Sequence, residues 1–268
     1  MTNDLLAAIV ACARTSAESR AAARDAVERE ADGRTPRGDT FLQTLRVPGV
    51  RVIAECKRRS PSRGILRARY DAAEIAAGYE GGGAAAISVL TEPAFFDGTI
   101  DHLRVVREAT TLPVLRKDFI VTDFQVVEAR AAGADAVLLI VAALDDDALR
   151  RLIQFATSLG LAALVEIHDR GELIRALEAG ASMIGINSRN LRTLDVQPEV
   201  FEELILGIPS EIVAVAESGL KSAEDVRRLR AAGFDGFLIG ERLMLDANPG
   251  QVLSDLRAAA GAELEELR

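Results

Sequence analysis

The chain has 268 residues, of which 49% are hydrophobic and 27% charged, a composition typical of a globular protein rather than a disordered one. Its formal net charge of −9 disfavours general binding to the phosphate backbone of nucleic acids, and no apolar run reaches the roughly 20 residues that span a bilayer. Cys12 and Cys56 lie far apart without a CxxC spacing, so the sequence predicts neither a disulfide framework nor a metal site.

Residues 2–46 precede the first predicted strand and form an extension rich in Ala and Arg, which we interpret as helical and packed on the rest of the molecule. Its apolar run at 5–13 resembles the hydrophobic segment of a signal peptide. Asp4 precedes that run and no Lys or Arg does, so secretion is not predicted. We expect a cytoplasmic protein that contacts no membrane.

One block of sequence occurs four times at a spacing of about fifty residues. In each copy a helix ends at a glycine, a small or acidic residue follows, and an apolar run begins; the copies lie at 81–89, 132–139, 179–186 and 232–239. The glycine is expected to adopt the left-handed conformation that ends a helix. Four further apolar runs lie at 50–54, 113–115, 161–165 and 212–216. The sequence therefore predicts eight strands.

The segments between these strands carry amphipathic helical patterns, for example at 124–132, 147–159, 170–179 and 222–232. Alternation of strand and helix indicates a parallel sheet, and eight such units close most simply into a (β/α)₈ TIM barrel. A doubly wound open sheet is the alternative. Since no linker interrupts the series, we predict a single domain over 1–268, with an N-terminal helical extension at 1–46 and the barrel at 47–268.

The four strands that lack the glycine block share another property, because each runs directly into a charged residue. These residues are Glu55, Lys117, Glu166 and Glu217. A single glutamate after a strand is usually a solvated turn residue, but four charges at equivalent positions would converge on the carboxyl-terminal mouth of the barrel and shift each other's pKa values. Such a cluster suits acid–base catalysis. Lys57 would point to the same side as Glu55.

Three loops are predicted to bind the substrate. In the basic loop 57–64, Lys57 and Ser60 are expected to bind an anion, whereas we interpret Arg58, Arg59 and Arg63 as a solvated turn. The loops at 216–219 and 239–242 follow the seventh and eighth strands, where barrels bind phosphate. The phosphate candidates there are Ser218, Gly219, Gly240 and Glu241.

Two further loops carry polar and aromatic candidates, and two histidines lie on or beside predicted helices. Asn187 and Arg189, after the sixth strand, would bind a hydroxylated and carboxylated substrate. Phe95 and its neighbour Phe96 would either cap an aromatic substrate or cover the barrel end. His102 and His168 have no ligand spacing and are expected to be structural or solvent-exposed.

Taken together, these segments resemble the indole-3-glycerol-phosphate synthase family, a carboxy-lyase of tryptophan biosynthesis, over about residues 41–244. The most specific motifs lie at 52–62, 88–92 with 95–96, 115–119, 165–167, 185–191 and 216–219. The resemblance implies ring closure, decarboxylation and dehydration of 1-(2-carboxyphenylamino)-1-deoxyribulose 5-phosphate. It also implies that neither metal nor organic cofactor is needed.

The resemblance further implies roles for single residues. Lys117 matches the family's general acid, and Glu166 matches a second acid–base group. Lys57 matches the residue that engages the substrate carboxylate, with Ser60 and Arg189 nearby. The residues that position the chain hydroxyls and the lysines are matched by Glu55, Asn187 and Glu217. The phosphate would lie on Ser218, Gly219, Gly240 and the backbone amide of Glu241.

Two alternatives stay open at this point. A phosphoribosylanthranilate isomerase-like barrel would need a Cys/Asp acid–base pair, and the Lys117 and Glu166 arrangement speaks against it. A non-catalytic sugar-phosphate-binding barrel is disfavoured because buried charges without a task are destabilising. We expect a monomer whose partner is a small phosphorylated molecule.

Overall fold

The computed structural model describes residues 5–261. The predicted helical extension is confirmed from Leu5 onward, while residues 2–4 of that prediction lie outside the described part of the chain. It consists of α1 (Leu5–Arg20), a 3₁₀ turn (Ala21–Ala23), α2 (Arg24–Asp32) and α3 (Gly38–Arg46).

Eight parallel strands form a closed barrel in which the first strand pairs with the last, so the barrel prediction is confirmed and the open sheet is wrong. A short antiparallel hairpin, β2 (Arg59–Ser60) with β3 (Gly64–Ile65), lies outside it. The barrel strands are β1 (Val52–Cys56), β4 (Ala86–Leu90), β5 (Val114–Lys117), β6 (Ala136–Ile140), β7 (Ala162–Ile167), β8 (Met183–Asn187), β9 (Val213–Glu217) and β10 (Gly236–Ile239).

Helices alternate with these strands around the barrel. They are α4 (Ala72–Gly81), α5 (Pro93–Phe96), α6 (Ile100–Ala109), α7 (Asp123–Ala132), α8 (Asp146–Ser158), α9 (Arg170–Glu178), α10 (Val200–Ile205), α11 (Ala223–Ala231), α12 (Glu241–Met244) and α13 (Pro249–Gly261), with a second 3₁₀ turn at Val141–Ala143. None of the helices within residues 5–261 is both long and apolar enough to cross a membrane.

Both recurring features of the repeated block have a physical explanation. Its glycines, among them Gly133 with φ 93°, adopt the predicted left-handed conformation. Its acidic residue ties neighbouring strands together, because Asp135 accepts a hydrogen bond from the amide of Val114 (2.9 Å) and Asp235 accepts one from Ala214 (2.8 Å). The block therefore ends a helix and fixes the start of the adjacent strand.

Helix α3 closes the amino-terminal end of the barrel. Its Phe41 and Leu45 are fully buried, and the Leu45 side chain packs against Gly236 at the start of β10. The amide of Gly38 donates to the carbonyl of Gly160 just before β7 (3.1 Å). With this end packed, the carboxyl ends of the strands are left to build a site.

Candidate active site

A cavity of about 530 Å³ opens at the carboxyl ends of the barrel strands, within the usual size range of small-molecule sites. It is lined by every residue that the sequence nominated except Phe95: Glu55, Lys57, Ser60, Lys117, Glu166, Asn187, Arg189, Glu217, Ser218, Gly219, Gly240 and Glu241. The predicted convergence of distant segments on one rim is therefore observed.

Three charged side chains at the base of this cavity form what we call the Lys117 cluster: Lys117, Glu166 and Glu217. The Lys117 ammonium at the end of β5 donates to Glu166 on β7 (Nζ to Oε2, 3.2 Å) and to Glu217 on β9 (Nζ to Oε2, 3.1 Å). Burial alone would lower the pKa of Lys117, but the two carboxylates outweigh it and raise that pKa above its usual value. Lys117 is thus an ammonium at neutral pH.

The two carboxylates of the cluster differ in proton affinity. Burial raises the pKa of both, but at Glu166 the charge of Lys117 and a contact with His168 outweigh burial and hold the pKa below its ordinary value. At Glu217, burial and repulsion from Glu166 outweigh Lys117, and the pKa is raised. The pair therefore offers one ionised carboxylate and one that exchanges a proton more readily.

Two glycines make room for carboxylates of the site. Gly185 on β8 lies beside Glu166 in register, and a Cβ atom there would overlap Oε1 of Glu217. A Cβ atom at Gly240 would overlap Oε1 of Glu55 in the same way. The sequence predicts Gly240 as a phosphate ligand and does not indicate Gly185, whose role depends on Glu217 of the neighbouring strand β9.

A second ion pair lies at the mouth beside β1, which is two strands from β5 and two strands from β9. The Lys57 ammonium is 2.5 Å from Oε1 of Glu55, whose side chain is buried on β1. Lys57 itself follows the strand and remains partly accessible to the cavity. Two cations on separate strands therefore face the same space.

The loops after β9 and β10 form the other end of the cavity. Ser218 and Gly219 both have left-handed backbones, with φ of 66° and 70°, so the chain turns sharply at the cavity edge. The carboxylate of Glu241 is paired with Arg63 (Nε to Oε1, 2.9 Å) and with Arg189 (Nη2 to Oε2, 3.6 Å). Two guanidinium groups against one carboxylate leave an excess of positive charge at this end.

The pairing of Arg63 corrects one expectation. Arg63 is exposed as a turn residue would be, but it also lines the cavity and holds Glu241, because the β2–β3 hairpin folds the basic loop back toward the mouth. Arg59 is exposed as expected, and Arg58 pairs with Asp97 in the loop after β4.

Phe95 is a second correction, since Phe96 and not Phe95 lines the cavity. The Glu92 carboxylate accepts hydrogen bonds from the amides of Ala94, Phe95 and Phe96 and so caps the short helix α5. This cap fixes which ring turns inward. The Phe96 ring packs near Phe119, with 6.3 Å between centroids.

His168, predicted to be structural or solvent-exposed, is largely buried and lies between two carboxylates. Its ring Nε2 lies 3.4 Å from Oε1 of Glu166, and Nδ1 lies 3.0 Å from Oε2 of Glu172. The period-two spacing from Glu166 along β7 could have predicted this, since alternate residues share a side. His102, by contrast, packs edge-on against Tyr70 with ring centroids 5.1 Å apart, as a structural residue would.

A buried ionic network outside the cavity was also missed. The guanidinium of Arg116, next to Lys117 on β5, donates to Asp118 (Nη2 to Oδ2, 2.9 Å) and lies 3.4 Å from Glu128 on α7. Glu128 in turn pairs with Arg20 at the end of α1 (2.7 Å). The sequence carried no signal for it, because the partners come from three elements that are distant in the chain: α1, β5 with the residue that follows it, and α7.

The N-terminal extension also contributes to the cavity, since Leu5 and Ile9 of α1 line it. Together with Phe96 they give the space an apolar side suited to an aromatic ring. Across residues 5–261, no group of three or more His, Cys, Asp or Glu side chains is arranged to hold a metal ion.

Comparison with solved structures supports the fold. The chain is similar to a thiamine phosphate pyrophosphorylase from Pyrococcus furiosus, with a TM-score of 0.62 at 19% identity over 82% of this chain and 97% of that one. It is also similar to the tryptophan synthase subunit alpha of Legionella pneumophila, with a TM-score of 0.61 at 14% identity over 84% of this chain and 98% of that one. At these identities the likeness concerns the barrel alone.

Sequence comparison is more specific. An indole-3-glycerol phosphate synthase from Mycolicibacterium gilvum is 50% identical over 84% of this chain and 83% of its own length. One from Parafrankia sp. is 49% identical over 90% of this chain and 88% of its own length. The family model described as indole-3-glycerol phosphate synthase matches residues 6–256. With nearly the whole barrel matched, the chain belongs to the indole-3-glycerol phosphate synthase family.

Proposed function

We propose that this chain converts 1-(2-carboxyphenylamino)-1-deoxyribulose 5-phosphate into indole-3-glycerol phosphate, carbon dioxide and water, by acid–base catalysis in the Lys117 cluster. The observation that carries the proposal is the Lys117 side chain, which donates hydrogen bonds to two buried carboxylates at the base of a cavity with an apolar side. Family membership supports the reaction, and the contacts of Lys117, Lys57 and Glu241 support the roles proposed below.

Lys117 acts as the general acid in ring closure. As the aromatic carbon attacks the substrate carbonyl, the carbonyl oxygen becomes a strong base and needs a proton. An ammonium that keeps its proton at neutral pH can still deliver it to such an oxygen in the transition state. Glu217 and Glu166 hold the Lys117 side chain in position for this transfer.

The later steps need a base, because aromaticity returns only when a proton leaves carbon and the hydroxyl leaves as water. Glu166, with its pKa held below the ordinary value, is ionised and fills this role. Lys57 engages the substrate carboxylate until carbon dioxide departs, with Ser60 and Arg189 alongside. Glu55 keeps Lys57 directed at the cavity.

The substrate phosphate binds at the end of the cavity formed by the loops after β9 and β10. Ser218, Gly219, Gly240 and the amide of Glu241 are the proposed ligands. The carboxylate of Glu241 does not oppose the phosphate, since Arg63 and Arg189 neutralise it and leave positive charge in excess. Asn187 is placed to hold a hydroxyl of the sugar chain.

The isomerase alternative finds little support in these contacts. It requires a reactive thiol in the cavity, whereas Cys56 is fully buried in β1, where burial raises the pKa of its thiol, and the exposed Cys12 on α1 does not line the cavity. The expected monomer, the cytoplasmic location and the independence from cofactors stay predictions.

The test is an activity assay on the purified protein with the carboxyphenylamino substrate, followed by indole fluorescence. We expect indole-3-glycerol phosphate to form and Lys117→Ala to lose about two to four orders of magnitude in kcat. A fluorescence trace that stays flat while substrate binds tightly would instead identify a sugar-phosphate-binding barrel. Near-normal turnover by Lys117→Ala, with the variant's circular dichroism unchanged, would remove Lys117 as the acid.

A further inference from the structure

Three titratable side chains form a file from the buried end of β7 to the start of α9. Glu166 faces the cavity through Oε2, which accepts a hydrogen bond from Lys117, and faces His168 through Oε1. The opposite ring nitrogen of His168 contacts Glu172, which also accepts a hydrogen bond from the His168 amide (2.8 Å). The file thus runs from the Lys117 cluster to side chains that solvent reaches.

The contact between Glu166 and His168, which is the inner link of this file, is not a formed hydrogen bond. Oε1 of Glu166 and Nε2 of His168 are both buried and, within residues 5–261, neither makes a hydrogen bond of good geometry. They nevertheless face each other at 3.4 Å, so a small rotation of the ring or the carboxyl group would join them. Buried polar atoms without a hydrogen bond are rare in folded proteins, so this pair calls for an explanation.

The inference rests on the function proposed above: that reaction takes up one more proton than it releases, and the file offers a route for this proton. The substrate carboxylate leaves as neutral carbon dioxide, and the electrons of the broken carbon–carbon bond return to the ring. The carbonyl oxygen takes two protons, one on ring closure and one on leaving as water. Only one proton is returned, from the carbon that becomes part of the indole ring. Each turnover therefore consumes one proton from solvent.

We propose that His168 delivers this proton, taking it from solvent at its Glu172 side and passing it to Glu166, which returns it to Lys117. His168 does not touch the substrate and acts only through Glu166. The proton arrives at Oε1, the carboxyl group rotates, and the proton passes to the neutral amine that Lys117 has become. His168 is then protonated again from the surface.

The charges around the file keep His168 protonated and determine when Glu166 can accept its proton. The groups that face His168 are Glu166 from β7 and Glu172 from α9. Burial would lower the pKa of His168, but these two carboxylates raise it to about 10, so the ring is loaded at neutral pH. Once Lys117 has given up its proton, Glu166 loses the neighbouring cation that depresses its pKa and becomes a better acceptor.

The experiment compares His168→Gln with wild type, using His102→Gln as the matched control for loss of a histidine outside the file. We expect His168→Gln to lower kcat about tenfold or more while KM stays within about twofold, because substrate contacts are unchanged. Added imidazole should restore part of the lost kcat of His168→Gln and leave wild type unaffected. The solvent deuterium isotope effect on kcat should also increase in this variant.

Glu172→Gln provides a second test that keeps the hydrogen-bonding capacity of the outer position, and we expect a smaller loss of kcat that imidazole does not restore, because the His168 ring still occupies its place. A kcat of His168→Gln within about twofold of wild type overturns the relay. So does a loss of kcat in His168→Gln that imidazole does not restore while circular dichroism shows the native fold, since this would mean that His168 only supports Glu166 structurally. An inactive wild type would instead contradict the proposed function.

Discussion

At the scale of single residues, the absence of a side chain at Gly185 decides where the Glu217 carboxylate can lie. Gly185→Ala would place a Cβ atom on Oε1 of Glu217 and push this carboxylate away from Lys117. Since a displacement of about 1 Å can cost about 100-fold in rate, we expect kcat to fall by roughly that factor.

Gly78→Ala is the matched control, because Gly78 lies within α4 and a Cβ atom there meets nothing within 4 Å. Alanine also favours a helix over glycine by about 1 kcal/mol, so this variant should be as active as wild type and no less stable. Steady-state kinetics on both variants check the prediction. Equal kcat values for the two would mean that the position of Glu217 does not matter.

The pH dependence of stability provides a second test at this scale. The folded-state pKa of His168, raised to about 10, lies above the value near 6.5 of an unfolded histidine. The contribution of His168 to the free energy of unfolding is therefore fully present below about pH 6.5 and is lost as the pH rises through about 10.

Urea unfolding of wild type and His168→Gln at about pH 6 and about pH 10.5 measures this contribution. We expect the advantage of wild type over the variant to shrink at the higher pH. An advantage that is the same at both values would show that the imidazolium is not held by its two carboxylates.

Residues of the candidate site could be predicted from the sequence where an apolar strand ends in a charged residue, as at Lys117 and Glu166. It could not be predicted where a contact depends on the neighbouring strand or on the phase of a short helix. Gly185 was missed because its contact is with the neighbouring strand, and Phe95 was wrong because the phase of the short helix α5 turns Phe96 to the cavity. His168 was within reach, since the strand period alone places it on the side of Glu166.

At the scale of secondary-structure elements, strand β5 carries buried charged side chains on both of its faces. Lys117 faces the cavity, while its neighbour Arg116 points outward and is buried between Asp118 and Glu128. Arg116→Leu would leave these carboxylates buried with fewer positive partners. We expect a loss of about 3–5 kcal/mol in the free energy of unfolding, because removing one partner leaves uncompensated charge.

The matched control is Arg151→Leu, which removes a guanidinium whose side chain is 55% exposed and lies 3.8 Å from Asp123. An exposed pair of this kind contributes about 0–1 kcal/mol. Denaturant unfolding of both variants gives the two values. A similar small loss in both would show that the network around Arg116 is not needed for stability.

The elements themselves follow closely from the sequence, since buried strands appear as apolar runs and the repeated glycine marks where each preceding helix ends. Compared with the predicted runs at 50–54, 113–115, 161–165 and 212–216, these strands start and end one or two residues later, because pairing in the barrel continues into the charged residues at the mouth. The β2–β3 hairpin was not predicted: its strands are two residues long and carry no alternating pattern.

At the scale of the whole molecule, the two ends of the barrel have separate tasks. The carboxyl-terminal end carries the cavity, and the amino-terminal end is closed by α3. A Cβ atom at Gly38 would lie 2.5 Å from the amide nitrogen of Ala162 and 2.7 Å from the carbonyl oxygen of Gly160. Gly38→Ala should therefore cost about 1–3 kcal/mol in stability through overpacking, with kcat of the folded protein unchanged.

Gly33→Ala is the control in the same extension, because its Cβ atom would make only an ordinary contact of 3.5 Å with the carbonyl oxygen of Glu30. Thermal unfolding and kinetics on both variants separate stability from activity. A Gly38→Ala variant that unfolds at the wild-type temperature, or one that is stable but has lost turnover, would contradict this division between the two ends.

The double role of β5 limits how this site can be transplanted into another barrel. A designer who moves strand β5 with Lys117 into a new barrel, next to strands that carry Glu166 and Glu217, also moves Arg116 on its outward face. Arg116 would arrive without its counterion Glu128 on α7, and Glu128 in turn pairs with a helix that precedes the barrel. The smallest portable version of this chemistry therefore includes part of the N-terminal extension.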